Sequence, residues 1–295
     1  MTSGRTSSFE IRPRGPFSLA GSARFIAGWP PAKDFADAER DAVRLCFALD
    51  SFQGHAGVII REAGERLLVD MTGGGNVEEV RRQTERILSL DHDAGDLDQV
   101  LRRDEVIGRL HREAQRLRPV LFHSPYEAAA WSVISARLGH RRAQGIRAEL
   151  AREIGAALDV QGAAMHAFPL PSRLLELDAF PGLSREKVTR LHAVGEAALA
   201  GRLDPDRLRE LDAKPALAEL QEIRGIGPFY ASLILLRAVG VTDELPSAAE
   251  SRLLRAVGRA YDRPGPVSAQ ELERIAENWR PYRTWISVLV RAAAA

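Results

Sequence analysis

A short turn with two glycines, in the last third of the chain, has the residue types of a phosphate-binding site. Gly225 and Gly227 enclose one aliphatic residue, Ile226, and Pro228 follows at once. The glycines permit a helical hairpin too tight for side chains, and proline suits the first position of its second helix. Backbone N–H groups there would be free to bind a phosphate without reading bases. The alternative is an ordinary helical hairpin packed inside a domain.

The residues after this turn add two further motifs. A Gly240 turn is followed by Asp243-Glu244-Leu245-Pro246 and a helix through 252–257, and Trp279-Arg280-Pro281-Tyr282-Arg283 stands near the C-terminus. This order resembles the helix-hairpin-helix base-excision DNA glycosylases and, among them, the DNA-3-methyladenine glycosylase II family. The resemblance implies a monofunctional glycosylase that hydrolyses the N-glycosidic bond of alkylated purines in double-stranded DNA, for base excision repair.

The candidate for the catalytic carboxylate is Glu250. The family places an aspartate two or three residues after the proline, but here those positions are Ala248 and Ala249, and Glu250 is the first acid that follows Pro246. A carboxylate beneath the sugar would stabilise the oxocarbenium character of the transition state and orient a water. The alternative is a capping box, in which Ser247 is the N-cap and Glu250 bonds back to its backbone N–H.

The resemblance also implies an aromatic pocket for an electron-poor base, held by stacking and cation–π attraction. The candidates for its walls are Phe229, Tyr230, Tyr282 and Trp285, although Phe229 fits a buried helix equally well. Relatives with lyase activity carry a lysine nucleophile just after the hairpin glycines. This chain has no lysine there, which argues against a Schiff base.

A wedge that fills the hole left by an extruded base is expected at Arg137 and Leu138. They follow the apolar run that ends at Ile134, where the family carries a glutamine-containing loop that is absent here. Leu138 would fill the hole by its apolar bulk. The alternative is a plain helix end, with Leu138 in the core and Arg137 in solvent.

Composition limits the remaining classes of function. The chain has 295 residues, 45% of them hydrophobic, and a net charge of +1, so a DNA-binding face requires local clustering of basic residues. Its one cysteine, Cys46, allows neither an internal disulfide nor an iron–sulfur cluster, and no metal site is expected at Asp91-His92-Asp93. The family implies only a monovalent cation on the hairpin carbonyls. We expect a monomer without membrane segments, in the cytoplasm with the nucleoid.

Two domains are predicted. Residues 1–92 read as short strands and one helix, which resembles the TATA-binding-protein-like domain of the same family, and residues 93–295 read as an all-α helix-hairpin-helix domain. The fold would be mostly helical, with its cleft between helical halves. Two other functions stay open: a non-catalytic damaged-DNA-binding protein of this fold, because alanine occupies the usual aspartate position, and a helical protein-interaction module.

Overall fold

The N-terminal part of the chain is an antiparallel sheet with two helices. The computed structural model describes residues 7–29, 31, 36–39, 42–246 and 250–294. The strands, in the order β1-β5-β4-β3-β2 across the sheet, are β1 (Ser7–Ile11), β2 (Ala36–Glu39), β3 (Ala42–Ala48), β4 (His55–Ala63) and β5 (Arg66–Gly73). The helices are α1 (Leu19–Gly28) and α2 (Val77–Ile87). The predicted α+β character of this part is confirmed, although α1 is a second helix where only one was predicted.

The sheet buries both of its faces. Val43, Leu45 and Phe47 alternate along β3 and share one core with Leu19 of α1 and Val80 of α2. Period-two alternation puts the intervening residues on the opposite face, where Cys46 and Ile59 pack against a second layer. Both helices therefore cover the same face of the sheet.

The second layer is a β-hairpin that the all-α prediction missed. Strands β6 (Ala156–Val160) and β7 (Ala163–Ala167) pair through a two-residue turn, and Val160 packs on the sheet beside Cys46. Gln161 (φ 48°) and Gly162 (φ 83°) both have positive φ, as a tight hairpin turn requires. The prediction of an all-α domain over 93–295 is wrong here, because a short alternating strand can resemble a helix end.

The rest of the chain is helical. Its helices are α3 (Leu97–Arg103), α4 (Glu105–Glu113), α5 (Pro125–Ser135), α6 (His140–Ile154), α7 (Pro171–Leu175), α8 (Arg185–Leu199), α9 (Pro205–Glu210), α10 (Ala213–Gln221), α11 (Pro228–Ile234), α12 (Ser251–Ala260), α13 (Ala269–Ala276) and α14 (Arg283–Ala293). A π-helical turn, Leu235–Val239, continues α11.

These helices build two separate cores. The first surrounds the buried helix α5 and includes residues of α8, α10 and α11. The second is formed by α3, α4, α12, α13 and α14. A cleft opens where α11 and the π-helical turn face α14 and the residues that precede α12.

Buried polar contacts tie the sheet to the helices beside this cleft. Arg86 of α2 donates to the carbonyls of Ala238, at 3.0 Å, and His123, at 3.1 Å. The same guanidinium pairs with Asp50, whose pKa burial raises to about 6 while Arg86 opposes the rise. The π-helical turn is thus held from the sheet side as well as from its own core.

Candidate active site

The hairpin between α10 and α11 has the geometry that its glycines predict, but only one glycine is required by it. Gly225 has φ +98°, and a Cβ there would lie 2.8 Å from Cδ of Arg190. Gly227 has φ −90° and open space around its Cβ position. Ile226 is buried and donates its N–H to the carbonyl of Ile223 at 2.9 Å. Among the described residues, the N–H groups of Gly225 and Gly227 have no acceptor.

The helix that leaves the hairpin changes to π geometry after Ile234, and this places Arg237 at the cleft. Single π turns inside helices frequently occur at functional sites. The Arg237 guanidinium lies 4.5 Å from the ring centre of Trp29 and donates to the carbonyl of Val120 at 2.8 Å. Burial, together with the positive charge of Arg291, lowers the pKa of Arg237 to about 9, while Glu250 opposes the shift. Arg237, Arg291 and Glu250 therefore interact electrostatically across the cleft.

The cleft lies between the hairpin helix and the last helix. From the α11 side it is lined by Phe229, Ser232, Leu233, Leu236 and Arg237, and from the other side by Pro246, Glu250, Thr284, Ser287, Val288 and Arg291. Two of the sequence candidates, Glu250 and Phe229, are brought together here. Phe229 is 52% exposed, so its ring faces the open cleft, and the alternative of a buried core position is wrong.

Glu250 is the one described carboxylate in the cleft lining, and it is paired there. Its Oε2 accepts a hydrogen bond of 2.8 Å from Nη1 of Arg291, and the side chain is 15% exposed. Glu250 immediately precedes α12, and Arg291 lies near the end of α14. No described group bonds the other carboxylate oxygen, Oε1. Within the described residues, the carboxylate is thus held through Oε2 alone.

The capping-box alternative does not describe Glu250. Helix α12 begins at Ser251, so Glu250 is the residue before the helix rather than its third residue, and its side chain makes no capping hydrogen bond. Ser247, Ala248 and Ala249 lie outside the described residues. Asp243, an acid of the loop before Pro246, does not line the cleft, and its carboxylate accepts hydrogen bonds from Arg280 and Arg283, both at 2.7 Å. Glu250 is therefore the described carboxylate that lines the cleft.

Three of the four aromatic candidates lie elsewhere. Tyr282 and Trp285 are 4% and 5% exposed, and stack on each other in the core of α3, α4 and α12–α14. The Tyr282 hydroxyl donates to Asp96, and Arg118 lies over the Trp285 ring. Tyr230 contacts Phe229 edge-on but packs against the first core. The prediction of these three as cleft walls is corrected, because α14 turns its aromatic residues toward a core.

The predicted wedge residues form an exposed loop between α5 and α6. Arg137 is exposed and has φ +58°, a conformation that few residues other than glycine adopt. Leu138 is half-buried against the first core. The carbonyls that end α5 receive Nζ of Lys187, at 2.6 Å from Ile134 and 2.9 Å from Ala136. That either residue acts as a wedge stays a prediction.

Sequence reasoning missed Arg237, Arg291 and Lys187. Arg237 interrupts the apolar run Leu235–Val239, and Arg291 stands between the apolar residues Val288-Leu289-Val290 and the alanines that follow. A charged residue inside a buried helix is rarely without a partner, so these interruptions were the available signal. Lys187 gave no such signal, because it lies among other charged residues at a helix start.

Neither metal binding nor a membrane span is indicated by the part of the chain that is described. Its His, Cys, Asp and Glu side chains form no cluster of three or more suited to a metal ion. His92 instead contacts the carbonyl of Gly240 at 3.2 Å and packs edge-on against Trp285. None of the described helices combines the length and the apolar character needed to cross a bilayer.

The chain is similar in sequence and in fold to known proteins. No family model matches the sequence. The chain is 21% identical to the DNA-3-methyladenine glycosylase of Bacillus subtilis (strain 168) over 217 residues, which are 70% of this chain and 71% of that protein. The structure of 3-methyladenine DNA glycosylase from Archaeoglobus fulgidus superposes with a TM-score of 0.77 and 23% identity, covering 96% of this chain and 97% of that one.

A more distant fold relative is the 8-oxoguanine glycosylase/lyase of Clostridium acetobutylicum in complex with double-stranded DNA. It superposes with a TM-score of 0.60 and 17% identity over 89% of this chain and 98% of that one. The chain therefore has the fold of these DNA glycosylases. The predicted resemblance to the DNA-3-methyladenine glycosylase family is confirmed.

Proposed function

We propose that the protein is a monofunctional DNA glycosylase, which hydrolyses the N-glycosidic bond of alkylated purines of the 3-methyladenine type in duplex DNA. The observation that carries the proposal is the Glu250 carboxylate, which faces the cleft beside the hairpin and is held by Arg291 at 2.8 Å. The named relatives support the reaction class. Its biological role would be the first step of base excision repair.

Glu250 would stabilise the sugar as its bond to the base breaks. The transition state carries positive charge on the sugar, and a carboxylate beneath it lowers the barrier. Because Arg291 engages only Oε2, Oε1 is available to accept a proton from the attacking water. Arg291 would then act by fixing the carboxylate, since an oriented charge needs no rearrangement during the reaction.

The departing base would lie against Phe229 at the mouth of the cleft. The ring of Phe229 is exposed and belongs to the first turn of α11, next to the hairpin glycines. Alkylation makes the purine cationic, so a π face on one side attracts it, and the base needs little acid catalysis to leave. Tyr282 and Trp285 would contribute only by supporting the helix that carries Arg291.

Hydrolysis rather than lyase chemistry is supported by where the lysines lie. The chain has three lysines, at 33, 187 and 214. Lys187 donates to two carbonyls at the end of α5, and Lys214 is exposed on α10. Lys33 lies outside the described residues. No described lysine lines the cleft, so no amine is placed there to form a Schiff base.

Duplex DNA would be held by the hairpin and opened by the wedge. The free N–H groups of Gly225 and Gly227 would bind a backbone phosphate, and Arg137 or Leu138 would occupy the space of the extruded base. The finer fold assignment, a TATA-binding-protein-like N-terminal domain, is supported by the five-stranded antiparallel sheet with α1 and α2 on one face. A non-catalytic DNA-binding protein is not favoured, because a carboxylate does line the cleft.

The test is incubation of the purified protein with duplex DNA containing methylated purines, followed by chromatography of the released bases. We expect free methylated purine and an abasic strand that breaks only after added alkali. Strand breakage without alkali, with borohydride trapping of the protein on DNA, would contradict the monofunctional assignment. Tight, salt-dependent duplex binding without release of any base would support the non-catalytic alternative.

A further inference from the structure

We propose that α8 is a bracket that holds the wedge loop at a fixed position relative to the phosphate-binding hairpin, and that Lys187 is the positioning residue for the loop. We define the wedge loop as residues 136–139, between α5 and α6. The inference rests on the proposed function, because it assigns a role in opening DNA to residues outside the cleft.

Lys187 holds the wedge loop through its backbone. Its ammonium donates to the carbonyl of Ile134 at 2.6 Å and to that of Ala136 at 2.9 Å. Both carbonyls belong to the C-terminal end of α5, where the last carbonyls have no partner inside the helix. A cation there also interacts favourably with the helix dipole. One side chain therefore fixes both the end of α5 and the first residue of the loop.

The wedge loop needs this support, because its backbone is in a sparsely populated conformation. Arg137 has φ +58°, and the N–H of Leu138 bonds back to the carbonyl of Ser135 at 3.0 Å. A residue other than glycine keeps such a conformation only when its surroundings over-determine it. Insertion of a side chain into a base stack would strain the same backbone, because unstacking a base costs free energy. Removal of the Lys187 contacts should therefore let the loop relax.

The same face of α8 also touches the hairpin. Arg190 lies three residues after Lys187, about 4.5 Å further along the helix axis. Its methylene groups lie on Gly225, because a Cβ on that glycine would be 2.8 Å from Cδ and 3.1 Å from Cγ of Arg190. Glu186 holds the guanidinium from the same helix. One turn of a rigid helix thus touches both the wedge loop and the phosphate anchor.

This arrangement gives α8 a mechanical role. While the hairpin binds a phosphate, a side chain can enter the base stack only if the wedge loop keeps its position relative to the hairpin. Lys187 contacts the wedge loop and Arg190 contacts the hairpin, so α8 connects the two directly. Helix α8 itself packs on the buried helix α5. The bracket predicts that Lys187 matters for base extrusion and not for affinity to DNA as such.

A direct phosphate contact is the competing role for Lys187, and the salt dependence separates the two. A phosphate contact would weaken binding to all duplexes and reduce the slope of log affinity against log salt by about one. A positioning residue leaves that slope unchanged and affects only the step that takes the base out of the stack.

The experiment compares Lys187→Met with Lys214→Met, the same substitution at an exposed position of α10. Single-turnover base release is measured on a methylated base in a fully paired duplex and on the same base opposite an abasic site, where less stacking and pairing must be broken. We expect Lys187→Met to slow release about tenfold or more on the paired duplex and less than about threefold opposite the abasic site. Lys214→Met should match wild type on both.

A 2-aminopurine beside the lesion reports extrusion without requiring bond cleavage, so it tests the bracket even when release is not detected. Lys187→Met should reduce the fluorescence rise on binding, and Lys187→Arg, which keeps the positive charge and can donate to both carbonyls, should restore it. Equal slowing on both duplexes, a lower salt slope, or wild-type extrusion by folded Lys187→Met would each overturn the bracket. Lys187→Gln, which keeps a donor, replaces Lys187→Met when circular dichroism shows the latter unfolded. Absence of release by wild type from both duplexes, with normal extrusion, would contradict the proposed function instead.

Discussion

Oε2 of Glu250 accepts a hydrogen bond of 2.8 Å from Nη1 of Arg291, and this contact joins the start of α12 to the end of α14 across the cleft. The two residues are 41 positions apart in the chain. The contact fixes a carboxylate whose neighbouring residues, Ser247 to Ala249, include no acid.

Loss of Arg291 should reduce base release without abolishing DNA binding. In Arg291→Gln the Glu250 carboxylate loses its fixed orientation, and we expect single-turnover release to fall by roughly tenfold to a hundredfold. Arg274→Gln, on the exposed side of α13, is the matched control and should behave as wild type. Unchanged release by Arg291→Gln would show that the ion pair serves the fold alone.

The two hairpin glycines should respond differently to alanine. Gly225→Ala places a Cβ against Arg190 at a positive φ, so we expect a loss of about 1–3 kcal/mol in the free energy of unfolding. Gly227→Ala meets open space at φ −90° and should cost about 1 kcal/mol or less. Urea denaturation of both variants measures this. Equal losses in the two variants would contradict the hairpin geometry.

Substitutions at Phe229 and Tyr282 should affect different properties: base release at Phe229, and the free energy of unfolding at Tyr282. Phe229→Ala removes a half-exposed ring from the cleft, so base release should fall while the free energy of unfolding changes by less than about 1 kcal/mol. Tyr282→Phe removes a buried hydroxyl that bonds Asp96, and should cost about 1 kcal/mol of stability with release unchanged. Slow base release by a stably folded Tyr282→Phe would contradict the assignment of Tyr282 to the core and favour a role in the cleft.

His111 should make the fold sensitive to mild acid. Burial lowers the pKa of His111 from 6.5 to about 4, so between these values the unfolded chain binds a proton that the folded chain does not. The stabilising difference is complete above pH 6.5 and is lost as the pH falls toward 4. From pH 7 to 5 we expect a loss of about 2 kcal/mol that is absent in His111→Gln. Parallel pH profiles for both proteins would exclude this role.

Much of the site was readable from the sequence because its motifs are local. The hairpin depends on consecutive residues, and Phe229 and Glu250 stand at fixed spacings from Pro228 and Pro246. These motifs do not predict which side chain each residue pairs with in the folded protein. The pairing of Glu250 with Arg291 depends on how α12 and α14 pack, and no short-range pattern encodes it.

The mistaken predictions have the same origin. Aromatic residues at Tyr282 and Trp285 fit a pocket wall or a core, and only the orientation of α14 decides between them. The strands β6 and β7 were missed because their stability comes from packing on a distant sheet through Val160 and Met165. Local propensity says little about a hairpin that is held by tertiary contacts.

The central claim, that Glu250 is the catalytic carboxylate, is tested most directly by single-turnover release of methylated purine from duplex DNA. Glu250→Gln keeps the size of the side chain and removes its charge, and Glu273→Gln, exposed on α13, is the matched control. We predict a loss of about a hundredfold or more for Glu250→Gln, with unchanged melting temperature and duplex affinity, and wild-type release for Glu273→Gln. Equal release by wild type and a folded Glu250→Gln would contradict the claim.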